Sequence, residues 1–270
     1  MPPFPNLISE SLLINETIAM LRAFNGRAPA VKVVDYVMKI RRAEPALARL
    51  LVSDLIDRDP RLALNGDIVE LKASSHDIDL ETAEFVVFDL ETTGAKAPPC
   101  RITEIGAYRV KEGKVTEEFH RLVNPEMPIP PFIQGLTGIT DEMVKDAPTF
   151  REVAGDLLEF IGDSVLVAHN ARFDMHFLNH EIGKVYEDYR VGNPSLCTVQ
   201  LSRRLLPDIE NHKLKTLAQH FSVALVNHHR AGDDAKATAG VFVNLLEDLR
   251  VRGISSLAPT RSFKLRKALC

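Results

Sequence analysis

The stretch Phe85-Val86-Val87-Phe88-Asp89-Leu90-Glu91-Thr92-Thr93-Gly94 constrains the fold of this chain more than any other. Its first four residues are all apolar and read as the most buried strand of a sheet. A buried strand is a poor place for charge, yet this one ends in Asp89 and Glu91. Successive strand side chains alternate between faces, so two acids spaced by two point the same way. Like charges on one face repel unless a cation lies between them. The alternative is a strand that runs out into solvent, where acids are ordinary.

The bulk properties leave both readings open. A chain of 270 residues, 45% hydrophobic and 26% charged, has room for one large domain or two moderate ones. No apolar run is long enough to span a membrane, and the start lacks the basic region and apolar core of a signal peptide. Cys100, Cys197 and Cys270 are odd in number and fit no metal-ligand spacing. They read as reduced thiols, which implies a cytoplasmic protein. The net charge of −4 is uneven. The first 75 residues balance to +1, the last 17 carry four basic residues and no acid, and the middle stands at −9. An acidic middle is a poor polyanion binder, but it is the composition of a carboxylate-rich metal site.

Three helical patterns occupy the region from Leu7 to Asp57, punctuated by Gly26 with Pro29 and by Glu44-Pro45. A hairpin signal follows, "RLAL" and "IVEL" around Asn65-Gly66-Asp67. Three short helices and a hairpin predict a small winged-helix-like domain over 1–75, or a helical cap that only packs on its neighbour. Polar residues at 76–83 read as a linker and 254–270 as a basic tail. Between them, over 84–253, strands predicted at 84–90, 102–110 and 114–123 form an antiparallel meander. Strands and helices then alternate, with the last helix over 233–250. Meander first and alternation afterwards implies an α/β fold, a mixed sheet flanked by helices.

Acids recur where these elements end. "HNARFD" leaves a buried strand and enters a helix at Asp174, and "HHRAGDDA" carries His229 and Asp234 into the last helix. Each has an ordinary explanation: Asp174 as a first-turn acid, Asp233 as an N-cap, Asp234 as another first-turn acid, the histidines as exposed loop residues. One shared cation site is more economical than three separate accounts. Together "FDLETTG", "HNARFD" and "HHRAGDDA" resemble the three motifs of the DnaQ-like, DEDDh 3′→5′ exonucleases, the branch that includes the proofreading epsilon subunit of bacterial DNA polymerase III. The resemblance covers residues 84 to about 250, with "LTGIT" at 136–140 between the first two motifs.

The resemblance implies a ribonuclease H-like fold, a five-stranded mixed sheet flanked by helices, here preceded by the winged-helix-like domain. It implies two Mg²⁺ or Mn²⁺ ions, with Asp89 shared by both, Glu91 and Asp234 completing the first, and Asp174 holding the second. His229, five residues before Asp234, takes the place of the general base, although His228 beside it has the same chemistry. Thr92, Thr93 and Gly94 are implied to contact the terminal nucleotide, and Asn170 and Phe173 to line the same pocket; His169 and His176 read as structural. The expected partners are DNA 3′ ends in single-stranded form and, through the N-terminal domain, either duplex DNA or a replication or repair protein, with no membrane. DNA hydrolysis in proofreading or repair is the expected function. The alternatives are an RNA-trimming 3′→5′ exoribonuclease and, from another class, a DNA-binding adaptor that has lost activity; no carboxylate of the set is missing.

Overall fold

Residues Phe85–Phe88 are indeed covered on both faces, and the strand they begin lies at the centre of the second of two compact units. A computed structural model describes residues 2–72 and 78–260. One unit comprises residues 1–76 with 182–192, the other 77–181 with 193–270.

The first unit contains β1 (Leu7–Ser9), α1 (Leu12–Ala23), β2 (Arg27–Pro29), α2 (Ala30–Val37), α3 (Pro45–Ile56), β3 (Leu62–Asn65) and β4 (Ile68–Leu71). Ile14, Leu21, Val33, Val34, Val52, Leu62 and Val69 form its core. Pro45 opens α3 at a position where a missing N–H costs nothing, and the Glu44 side chain accepts from the N–H groups of Ala46 and Leu47. The hairpin turns on Gly66 at φ +61°, and β2 adds to it to give an antiparallel sheet in the order β2-β4-β3.

The second unit runs β5 (Phe85–Thr92), β6 (Ile102–Lys111), β7 (Lys114–Leu122), α4 (Pro131–Thr137), α5 (Asp141–Val144), α6 (Phe150–Ile161), β8 (Val165–Ala168) and α7 (Ala171–Val185). The chain then supplies β9 (Tyr189–Val191), which pairs antiparallel with β1 inside the first unit. It continues with β10 (Ser195–Cys197), α8 (Thr198–Leu205), α9 (Leu214–His220), α10 (Ala231–Val251) and α11 (Leu257–Thr260). The sheet order is β10-β8-β5-β6-β7, antiparallel from β5 to β7 and parallel from β5 through β8 to β10. Helix α10 lies against β5 and β6, and its Phe242 meets Phe85 edge-on with ring centroids 4.9 Å apart. Such a pair contributes ~0.5–1.5 kcal/mol beyond the area it buries.

Residues 182–192, inside the expected 84–253 domain, belong to the first unit, and the two segments expected as linker and tail also differ from the sequence reading. Of the expected linker, 76 and 77 lie outside the described residues, but the remainder is tied down: Leu80 is buried and its N–H donates to Ser255 at 2.7 Å. The first residues of the expected tail are likewise packed, with Leu257 buried and donating to Ile78 at 2.9 Å. Both segments are too short to show a period, and each is ordered by the other. The tail's four basic residues and Cys270 lie outside the described residues. Cys100 and Cys197 are free thiols, and among the described residues no helix is long and apolar enough to cross a membrane.

Candidate active site

Strand β5 carries Asp89 and Glu91 on one face, as alternation requires, and two helices bring the other acids to that end of the strand. Asp174 lies in the first turn of α7 and Asp234 in the first turn of α10, at 2% and 5% exposure. Helix α10 begins at Ala231, two residues earlier than its pattern suggests, with Arg230 as the N-cap. Asp233 is therefore a first-turn residue and not a cap. Carboxylate oxygens of Asp89, Glu91 and Asp234 come within 4.8 Å of one another. Together with Asp174 they line a cleft of about 340 Å³ whose other walls are Leu90, His169, Phe173, Lys213, Leu214, His228 and His229.

Crowding four acids in a half-closed cleft changes their chemistry. Burial, reinforced by Asp174, Glu91 and Asp234, holds the Asp89 carboxyl well above the usual carboxylate range. Burial first, then Asp234 and Glu104, pushes Glu91 up to about 8. Burial also pushes Asp174 up to about 8, against hydrogen bonds from two backbone N–H groups. Without a cation, burial and mutual repulsion shift these groups towards their protonated forms. All the clustered acids offer hard oxygen donors, which fit Mg²⁺ or Mn²⁺, and among the described residues no thiolate contributes. Because only the ionised carboxylates bind metal, binding must displace protons, and affinity must fall as the pH drops below about 8. Mn²⁺ titrated at pH 7 by calorimetry in two buffers of different ionisation enthalpy is expected to give different apparent enthalpies. Equal enthalpies would mean that the acids were already ionised.

The two histidines separate on their hydrogen bonds. His228 Nδ1 sits 3.0 and 3.1 Å from the two oxygens of Asp234. His229 gives only its backbone N–H to Asp234, at 2.9 Å, and its ring stacks on His228 with centroids 4.0 Å apart. Among the described residues nothing hydrogen-bonds the His229 ring. Burial, then His228, lowers its pKa, which favours the neutral, proton-accepting imidazole. His229 adopts φ +69°, a left-handed turn that swings the chain from the loop into α10.

The residues expected at the nucleotide divide. Phe173 faces the cleft while its ring packs on Phe177 at 4.8 Å, so it is both wall and core. Thr92, Thr93, Gly94 and Asn170 do not line the cleft. The Thr92 hydroxyl donates to Gly94 O at 2.7 Å, and the Thr93 hydroxyl accepts from the Arg101 N–H at 3.0 Å. Gly94 is required by a close approach: a Cβ there would lie 2.7 Å from Cys100 Sγ. Asn170 is exposed in the turn before α7 at φ +72°.

Four further residues belong to the site or its frame and escaped sequence reasoning. His169, read as structural, does bond Thr198 Oγ1 at 2.9 Å, yet it also lines the cleft, with burial lowering its pKa to about 4. Among the described residues that line the cleft, Lys213 is the one lysine. Glu104 and Arg230 pair directly behind Glu91. Only Arg230 carried a signal, through its place inside "HHRAGDDA".

Comparison with known proteins agrees with this geometry. A family model described as Exonuclease (RNase_T) matches residues 86–242, the span that holds all five candidate catalytic residues. The PolC-type DNA polymerase III of Caldanaerobacter subterraneus subsp. tengcongensis is 47% identical over 184 residues, covering 68% of this chain and 13% of that protein. The PolC-type DNA polymerase III of Bacillus subtilis is 45% identical over 175 residues, 65% of this chain and 12% of that protein. The chain thus spans only about an eighth of these curated relatives. Among solved structures, Exonuclease X in complex with 5′-overhanging duplex DNA superposes with a TM-score of 0.54 at 27% identity, over 66% of this chain and 99% of that one. The five-stranded mixed sheet is the ribonuclease H-like fold of that exonuclease. A sheet that gathers four acids and a histidine, in a span that the family model matches, settles the kinship: this chain belongs to the exonuclease family.

Proposed function

We propose that the chain is a divalent-cation-dependent 3′→5′ exonuclease that removes nucleotides from DNA 3′ ends, in proofreading or repair. The observation that carries this reading is the convergence of Asp89, Glu91, Asp174, His229 and Asp234 on one cleft. The PolC-type relatives are DNA polymerases by name, and the Exonuclease X structure holds duplex DNA, which supports DNA as substrate.

Asp89, with Glu91 and Asp234, would hold one cation and, with Asp174, a second. When bound, the pair neutralises the scissile phosphate, promotes ionisation of water and stabilises the leaving oxygen. His229 takes one proton from the attacking water onto its ring. The water oxygen bonds to phosphorus, the bond to the 3′-oxygen of the preceding nucleotide breaks, and that oxygen takes a proton from solvent, to which His229 later returns its own. A nucleoside 5′-monophosphate leaves. Phe173 offers the terminal base an apolar wall, and Lys213 faces the phosphates. Thr92, Thr93, Gly94 and Asn170 would contact the terminal nucleotide, as the resemblance implies, and they also shape the chain there: the first three brace the end of β5, and Asn170 turns the chain into α7. The domain over 1–75 would bind duplex DNA or a replication or repair protein.

The test is digestion of 3′- and 5′-labelled single-stranded DNA, duplex DNA and RNA side by side. With Mg²⁺ or Mn²⁺, the 3′ label of DNA is expected to appear early as mononucleotide, and EDTA to stop its release. Early release of the 5′ label, digestion confined to RNA, or indifference to EDTA would each overturn the reading.

A further inference from the structure

Glu104 has been given no role as a cation ligand or a base, yet it is the most buried acid near the cleft. It stands on β6 directly opposite Glu91, and its side chain is 0% exposed. Like charges facing each other across an antiparallel pair are destabilising, and a buried carboxylate without partners costs more still. Partners therefore have to hold it there. Glu104 accepts from Arg230 Nη2 at 2.7 Å and from Arg230 Nε at 3.1 and 3.2 Å. It also accepts from the Ala231 N–H at 2.8 Å, and His120 Nε2 lies 2.8 Å away.

The position of those partners gives the arrangement its meaning. Arg230 is the N-cap of α10 and Ala231 its first residue, three before Asp234. Two residues along β6, Gly106 stands opposite Asp89, and a Cβ there would lie 2.2 Å from Ala231 O and 2.5 Å from Gly232 N. The next strand continues the row, with His120 opposite Gly106 and 3.3 Å from where a Gly232 Cβ would be. Strand β6 thus seats the first turn of α10 by a polar fork at one position and by a missing side chain at the next. The rest of α10 rests on the sheet through apolar contacts, which are not directional and do not fix how far a helix slides or turns. The fork is directional. Where Asp234 sits relative to Asp89 and Glu91 follows from it.

We propose that Glu104 and Arg230 are a positioning pair for the nuclease site, setting α10 at the register where Asp234 joins Asp89 and Glu91 to hold a cation. The inference rests on the nuclease reading above. It differs from simple structural stabilisation in what it affects: cation affinity and turnover, with little effect on how DNA is captured.

The test uses the full chain with Glu104→Gln, which keeps the shape and an acceptor for the Ala231 N–H but removes the charge that holds Arg230. Mn²⁺ is titrated calorimetrically without nucleic acid, and kcat and KM are measured on a 3′-labelled oligonucleotide. Mn²⁺ affinity and kcat are each expected to fall about 10–100-fold, the usual cost of losing a residue that orients a metal ligand. KM is expected to stay within about threefold. Arg230→Gln should reproduce both changes, and the double variant should be no worse than either single one, because the two act as a unit. Arg230 is 31% exposed at its side chain, so its variant provides the measurement if Glu104→Gln does not fold. Folded variants that melt earlier but keep native Mn²⁺ affinity and kcat overturn the proposal. Asp89→Ala measured in parallel separates the two levels. Native behaviour of Glu104→Gln beside an inactive Asp89→Ala removes the positioning pair alone, whereas an unsubstituted chain that binds no Mn²⁺ removes the nuclease reading and the pair with it.

Discussion

Asp89→Ala is expected to lower the rate of hydrolysis by on the order of 10³-fold or more while making the metal-free protein more stable. The rate loss follows from the position of Asp89 among the other acids, the place from which one carboxylate could serve both cations of the proposed mechanism. Metal-assisted charge stabilisation contributes several kcal/mol, and each 1.4 kcal/mol is about tenfold in rate. The gain in stability follows from burial and from Asp174, Glu91 and Asp234, which raise the Asp89 carboxyl well above its usual range. An acid that is ionised when unfolded but protonated when folded costs stability above its unfolded pKa, and the cost grows as the pH rises towards the folded value. In EDTA, the melting temperature of Asp89→Ala should therefore exceed that of the native chain, by more at pH 8 than at pH 5. Mg²⁺ should reverse the order, because a ligand stabilises only the form that binds it. Undiminished nuclease activity in a well-folded Asp89→Ala protein would sink the mechanism.

That expectation was accessible from residues alone, because the paradox at its root is local. A strand of four apolar residues ending in two same-face acids is visible in ten letters, and so are the first-turn positions of Asp174 and Asp234. The features the sequence hides depend on pairing between distant segments. Glu104 looks like one polar residue in the strand "ITEIGAYRV"; nothing local says that it meets Arg230, 126 positions later, or that Gly106 must make room for Ala231. Strands β1 and β9 are three residues each, too short for any period, and exist only because they pair with each other. Thr92 and Thr93 sit beside the acids in sequence, but the turn points their hydroxyls inward to Gly94 O and to the Arg101 N–H. Adjacency along the chain points to the candidate site. The bracing behind it needed the third dimension.

The choice between neighbouring histidines shows how the two sources combine. Spacing to Asp234 selects His229, and the hydrogen bonds supply a physical reason: Asp234 occupies His228 Nδ1, whereas the His229 ring has no hydrogen-bond partner among the described residues. A ring that must accept a proton from water needs a free nitrogen. His229→Ala is accordingly expected to lower kcat by roughly 10²–10⁴-fold, the usual share of general-base catalysis. Mn²⁺ affinity measured by calorimetry should be retained, since every carboxylate remains. His228→Ala should cost much less, although it releases Asp234 from one contact. Because residue 229 sits at φ +69°, a substitution there can also disturb the turn into α10 and so displace Asp234. His229→Asn controls for this, as asparagine tolerates the left-handed region but is no base at neutral pH. Equal losses in His229→Ala and His229→Asn, with metal affinity intact, would place the defect in proton transfer. A larger loss in His228→Ala than in either would show that the neighbouring ring is the base, and that Asp234 orients it as it does so.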